Sequence, residues 1–375
     1  MARIIISICG EGRGHASRAI SLIELLHPRH QLVIASFGSG FLHIKEYLDQ
    51  RGINARLVEI RGIEYKYKNQ SLAPVRTYLG WAYFMLVGIR RELNRCKAIV
   101  DEFDPDLAIT DFEPCMPRLA NKKKIPCISI DHQHFLRFYD ISRLPFRLKI
   151  RCAIGALVCR CYVPKASIYI VTAFFKDKAR YKSRRDVIKV GSIIKRSVRD
   201  ADVSDSGFIL SYVRKELTKS LKDAFFGCGR TVVVYGLGYR EPMKNIIFKA
   251  FSQEEFVEDL ASSSAVIGAA GNQLIGEALH LGKPYLAIPE KDHHEQMANA
   301  YNLKWMGRGT FVELEKLGAG TVKEFLDDYY STWCSKRKER GGVSAIEIVI
   351  DIIESTLSQS GMNSIGLLED GQHTK

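Results

Sequence analysis

A histidine placed just behind alternating glycines is the first point in this chain where chemistry could be done. The stretch "ICGEGRGHASRAI" sets Gly10, Gly12 and Gly14 ahead of His15 and then runs into a helix-like pattern. A glycine turn lets a ligand approach the backbone, and a helix N-terminus favours negative charge. Imidazoles ordinarily titrate near working pH, which suits one at that mouth to general-base work. The plainer reading is that His15 only caps the turn. A dinucleotide loop is disfavoured on two counts. The third glycine of G-x-G-x-x-G falls on His15, and the second strand ends in "ASFGSG" with no acid to hold a ribose.

A second cluster lies far along the chain, in "AVIGAAGNQLIGEALHLGKPYLAIPEKDHHEQMANAYNL". A strand closes at Gly268, and "AAGN" opens a helix whose free N–H groups at Gly271 and Asn272 suit a diphosphate. Gln273 stands beside them. Glu277 lies within reach of a ribose on that diphosphate, since a carboxylate accepts two vicinal hydroxyls well. Gln296 and Asn299 fall at i and i+3, on one helical face, where amides could bind sugar hydroxyls.

Two other groupings imitate metal sites. "DPD" at Asp104 and Asp106 precedes its strand, so it reads as a helix end and strand start. "DHHEQ" has adjacent histidines that point apart and lacks H-x-x-x-H spacing. No metal and no resident cofactor is expected.

The elements that must position these residues alternate. "RIIISI", "HQLVIAS", "NARLVEI", "DPDLAITD" and "IPCISID" read as strands, with helical stretches between them. The rhythm restarts at "GFILSYV" and continues through "RTVVVYGLG", "NIIFKAF", "AVIGAAG", "PYLAIP" and "GTFVEL". Such alternation predicts an α/β fold of two doubly wound, Rossmann-like domains facing across a cleft. The expected bounds are 1–195 and 196–341, with a helix and flexible tail over 342–375. The polar segment "DVIKVGSIIKRSVRDADVSDSG" suits a linker.

Charge divides with the halves. The 375 residues carry a net +13, but 1–195 hold about +17 and the remainder about −4 by formal count. A basic half implies an anionic partner, among them a membrane surface or a phosphorylated substrate. Nucleic acid is disfavoured because no binding motif accompanies the charge. The first apolar run is too short for a signal peptide, and the later ones are too short to span a bilayer. Nine scattered cysteines without a CxxC pair fit reduced thiols. A cytoplasmic protein is expected, peripheral at the inner face of the membrane if the basic-aromatic regions 65–95 and 137–165 lie in an interface. Otherwise they are core-facing helices with a solvated basic face.

The block "GNQLIGEALHLGKP" followed by "EQMANA" resembles the nucleotide-sugar signature of GT-B glycosyltransferases. The resemblance is greatest to the group around the lipid-linked N-acetylglucosaminyltransferase of peptidoglycan synthesis and its bacterial and archaeal relatives. "GEGRGHASR", "TDFEP" and "IDHQH" are similar too, and the likeness covers most of residues 1–310. It implies a donor nucleotide on the second domain and an acceptor on the first. Gly271, Asn272 and Gln273 would then meet the diphosphate side, Glu277 the ribose, and Glu295, Gln296 and Asn299 the donor sugar. His15 would deprotonate the acceptor hydroxyl, oriented by Asp111. Glu113 is a rival for that role and, with Gly12, Gly14 and His134, is assigned to the acceptor side; His134 is equally readable as part of a solvated loop. One departure is "ILSYVRKEL", where such enzymes often carry a Gly/Ser-rich loop. The implied function is transfer of a sugar from a UDP-sugar to a hydroxyl, on a lipid-linked or cell-envelope acceptor, without a metal. The alternatives are a nucleotide-sugar epimerase of the same fold and a non-catalytic polyanion-binding regulator that keeps the pocket.

Overall fold

The apolar runs form the strands of two sheets in the computed structural model, which describes residues 1–63, 67–68, 71–176, 184–214, 216–334 and 345–370. The first sheet has seven parallel strands in the order Arg56–Glu59, Gln31–Ser36, Arg3–Ile8, Leu107–Asp111, Cys127–Asp131, Ile168–Thr172 and Val187–Val190. Parallel strands need crossovers that cover both faces, which is why their sequences are continuously apolar rather than alternating. In the first strand Ile4, Ile6 and Ile8 pack with the helix Arg13–Leu26 on one face. Ile5 packs on the other, with Ile99 and Val100 of the helix Ile89–Phe103. Each fully buried Ile is worth about 1.5–3 kcal/mol, against about 0–1 for an exposed ion pair. The four isoleucines therefore fix this strand, not the pairing of Arg3 with Asp104 and Asp106 at its start. Asp104 itself ends the preceding helix in a left-handed conformation, φ 46°.

The second sheet runs Arg240–Met243, Ile246–Phe248, Val232–Tyr235, Ile209–Tyr212, Ala265–Gly268, Tyr285–Ala287 and Gly309–Phe311. It is antiparallel at the Arg240–Met243 edge and parallel elsewhere. In each sheet the chain order reverses beside the opening strand: between Arg3–Ile8 and Leu107–Asp111, and between Ile209–Tyr212 and Ala265–Gly268. Ligands bind at such switch points, beyond the carboxyl ends of the strands. The two switch points here open onto one cavity.

Two expectations are corrected. The segment read as a linker from Asp186 is not all linker, because Val187–Val190 completes the first sheet by pairing with Ile168–Thr172. The crossing itself is abrupt: Ile193 is buried in the first half's core and Ile194 in the second's. Beyond the second sheet, the helix Ala345–Asp370 continues past Leu357, where a polar tail is predicted. Its start returns to the first half, placing Ala345, Ile346, Val349, Ile350 and Ile353 in that core. Glu354 pairs with Arg29 at 2.9 Å and His30 at 3.1 Å, and Glu347 with Arg199 at 3.5 Å.

Among the described residues no helix is long and apolar enough to cross a membrane. The region 137–165 contains the helix Phe146–Tyr162, which buries Leu148, Cys152, Gly155, Cys159 and Tyr162. Its opposite side leaves Phe146, Ile150, Ile154 and Leu157 exposed. Of the region 65–95, residues 65–66 and 69–70 lie outside the described residues.

Candidate active site

The glycines at the front are needed for different reasons. A Cβ on Gly10 would fall 1.9 Å from the Phe37 carbonyl oxygen, so the turn packs against the second strand's end without room for a side chain. Gly12 has φ 75° and precedes the helix Arg13–Leu26. This is the left-handed region that favours glycine. Gly14 shows no such demand, its nearest neighbours being 3.8 Å away. The turn delivers His15 into the first helical turn, buried at 8% exposure but lining the cavity.

Strand register brings the partner. Ile8 pairs with Asp111 at the carboxyl ends of neighbouring strands, and the Asp111 carboxylate lies 2.6 Å from His15 Nδ1. A carboxylate only accepts, so Nδ1 carries the proton and Nε2 keeps its lone pair, a tautomer assigned from the hydrogen-bond network. Arg18, one turn further along the helix, clamps the same carboxylate through Nε to Oδ2 and Nη2 to Oδ1, both at 2.9 Å. Its Nη2 also lies 2.9 Å from His15 Nδ1, but both of these donors face Asp111 Oδ1, and the shorter 2.6 Å contact of Nδ1 with the carboxylate decides the tautomer. Arg18 is 3% exposed and lines the cavity. Burial pulls its pKa down, but Asp111, with Asp131 and Glu295 beyond, leaves it raised. The Gln133 amide nitrogen sits 3.2 Å from His15 Nε2.

Across the cavity, of about 350 Å³, the helix Asn272–His280 starts after Gly271. Asn272 accepts from the Phe174 N–H at 3.0 Å, and Gln273 donates to the Ile193 carbonyl at 2.9 Å and to Glu277 at 2.8 Å. The Asn272 amide nitrogen and the Gln273 Oε1 are buried without partners among the described residues. Burial raises the Glu277 pKa, opposed by Lys195 and the Gln273 hydrogen bond. Lys195 is itself lowered by burial. Burial would raise Glu295, but His132, His293, His294 and His15 around it bring it below the usual range. Gln296 accepts from the Glu290 N–H at 2.9 Å.

Gly12, Gly14, His15, Gly271, Asn272, Gln273, Glu277, Glu295 and Gln296 thus share one cavity. Asp111 does not line it and reaches it through His15 and Arg18. Three sequence-predicted residues are not brought there. The Glu113 carboxylate accepts from the N–H groups of Cys115 at 2.7 Å and Met116 at 2.8 Å, so it caps the helix Cys115–Lys123. His134 is turned into the core, 2.7 Å from Asp131 and among Phe138 and Tyr169. Asn299 is fully buried behind the wall, donating to the Ala270 carbonyl at 3.0 Å with Oδ1 facing His132 Nε2 at 3.0 Å. His132 meets the Thr172 carbonyl at 2.7 Å through Nδ1. Burial lowers the His132 pKa, outweighing Glu295 at 4.0 Å and the acceptors at both nitrogens, which favour the charged form. In "DHHEQ", Asp292 pairs with Arg151 at 2.8 Å and His293 accepts from the Gln296 N–H at 3.4 Å.

Arg18, Gln133 and Lys195 escape sequence reasoning. For Arg18 a signal exists, since it falls three residues after His15 on one helical face. Gln133 sits inside "DHQH" but is masked there by the two histidines. Beyond Gln133 the cavity turns apolar, with Phe112 stacked on Tyr162 at 4.6 Å and Tyr162 on Trp81 at 6.5 Å. The buried Trp81 Nε1 has no partner among the described residues.

Comparison with known proteins gives a consistent result. The family model described as "Glycosyl transferase family 1" matches residues 2–329. An uncharacterized glycosyltransferase of Methanosarcina acetivorans is 25% identical over 341 residues, covering 83% of this chain and 85% of its own. Among solved structures, the calicheamicin glycosyltransferase CalG4 superposes with a TM-score of 0.65 at 16% identity, over 96% of this chain and 99% of its own. The spinosyn rhamnosyltransferase SpnG, complexed with thymidine diphosphate, gives 0.64 at 13% identity, over 94% and 100%. At these identities the likeness establishes the two-domain GT-B fold.

Proposed function

The chain belongs to glycosyl transferase family 1, and from that premise we propose that it moves a sugar from a uridine diphosphate donor to a hydroxyl of a membrane-borne acceptor. The observation that carries this reading is the His15 Nε2 lone pair turned into the cavity, with Nδ1 held by Asp111 at 2.6 Å. As the acceptor oxygen attacks the anomeric carbon, Nε2 takes its proton and the bond to the diphosphate breaks. The sugar inverts, because attack comes from the face opposite the leaving group. The first N–H groups of the helix Asn272–His280 and the cations Arg13, Lys195 and Arg214, all bordering the cavity, receive the departing charge. Those side chains occupy the role a metal plays in other glycosyltransferases, so the scheme uses none.

A thermal-shift screen against nucleotide sugars tests the donor assignment, because a ligand of the folded state raises apparent stability. UDP-sugars are expected to raise the melting temperature, equally in excess EDTA. A screen without any shift overturns the donor. In Glu277→Gln the shift should shrink, with donor affinity falling about ten-fold or more, as for a lost hydrogen bond to a charged group. Unaltered affinity removes Glu277 from the ribose.

The acceptor's membrane character is supported by the helix Phe146–Tyr162. Gly155, Val158, Cys159 and Tyr162 border the cavity, while Phe146, Ile150, Ile154 and Leu157 are exposed at i, i+4, i+8 and i+11. Arg147, Lys149 and Arg151 lie among them. Apolar insertion with cations on anionic headgroups is the interfacial pattern. Sedimentation with phosphatidylglycerol vesicles should carry the protein down and lose it on Phe146→Asp with Ile150→Asp. Equal sedimentation of the variant counts against a lipid-borne acceptor.

A further inference from the structure

A side-chain amide faces the His15 ring nitrogen that borders the cavity. In the neutral imidazole, with the Nδ1 proton held by Asp111, His15 Nε2 accepts, and the group 3.2 Å from it is the Gln133 amide nitrogen. That nitrogen therefore donates, which fixes the amide's orientation and leaves Oε1 on the other side. Oε1 is buried without a partner among the described residues. The backbone of Gln133 is held, since its main-chain carbonyl accepts from the Leu136 N–H at 3.1 Å and the Cys159 thiol at 3.4 Å. Buried amide oxygens are normally paired, so this one marks an arrangement that a ligand can complete.

We propose that Gln133 is a positioning residue that plugs the base until an acceptor hydroxyl displaces its amide from His15 Nε2. The incoming hydroxyl donates to Nε2 and accepts from the released Gln133 N–H, so the amide that blocks the base also orients the nucleophile. The inference rests on the glycosyl-transfer reading and extends it to a side reaction that such a site must suppress. With Nε2 open and donor bound, water would attack the anomeric carbon. Its oxygen forms the new bond, its proton goes to Nε2, and the nucleoside diphosphate leaves with the electron pair of the broken bond. A capped Nε2 has no lone pair to offer that water.

The test needs no substrate. Diethyl pyrocarbonate acylates unprotonated imidazole nitrogens, and trypsin separates the peptides holding His15 and His27, the latter half-buried at the end of the same helix. In full-length Gln133→Ala, acylation of His15 should rise about five-fold over wild type, the factor expected for one lost neutral hydrogen bond. His27 should not change. Gln133→Asn, which retracts the amide by one methylene, should behave alike and serves where the alanine variant fails to fold. Equal His15 rates in wild type and variant overturn the plug, and a rise shared by His27 reports a loosened fold and also counts against it. A failed nucleotide-sugar screen would remove the donor assignment and leave this result standing, so the two failures are distinguishable.

Discussion

Replacing His15 with alanine is expected to lower kcat by about 10²–10⁴-fold, the usual contribution of a positioned general base. Donor affinity should be untouched, because the groups proposed for the donor, Asn272, Gln273 and Glu277, are carried by a separate helix of the second half. The measurement is turnover beside nucleotide-sugar binding in the same preparation. Unchanged turnover sinks the base assignment. Asp111→Asn should fall in the same direction for a different reason: an amide can present its N–H to Nδ1, which pushes the proton to Nε2 and spoils the acceptor.

The largest stability effect is expected from Arg18→Met. Arg18 and Asp111 are 3% and 4% exposed, so the substitution strands a carboxylate with little solvent to compensate it. Breaking one partner of a buried pair costs about 3–5 kcal/mol, whereas exchanging both for neutral groups is often near neutral. Urea unfolding followed in the first domain should therefore show a large loss in Arg18→Met and partial recovery in Arg18→Met with Asp111→Asn. A single-variant loss below about 1 kcal/mol would place this pair with surface ion pairs and refute its buried character.

These two residues also mark how far the sequence can be read. The strands are legible because parallel sheets need unbroken apolar runs, and "RIIISI" or "LAIT" admit no other use. That His15 and the start of the helix Asn272–His280 border the cavity is legible because glycine before a helix has few purposes. Which carboxylate of "TDFEP" meets His15 is not. Asp111 is selected by the register Ile8 to Asp111, and Phe112 at φ 56° then turns the chain so that Glu113 caps the next helix. Neither fact leaves a mark in local composition. Arg18 and Gln133 meet partners 93 and 118 residues away, beyond any pattern of periodicity. The edge strand Val187–Val190 is only partly buried and carries Lys189, so it reads as polar linker.

The return of the last helix has a mechanical meaning. The chain passes between the halves twice, at Ile193 and Ile194 and again between the helices Thr321–Cys334 and Ala345–Asp370. The helix from Ala345 is built into the core of the first half, where Glu354 also pairs with Arg29, while Glu347 reaches Arg199 just beyond the first crossing. Any displacement of one half relative to the other must carry this helix along with the first, so the end of the sequence travels with its beginning.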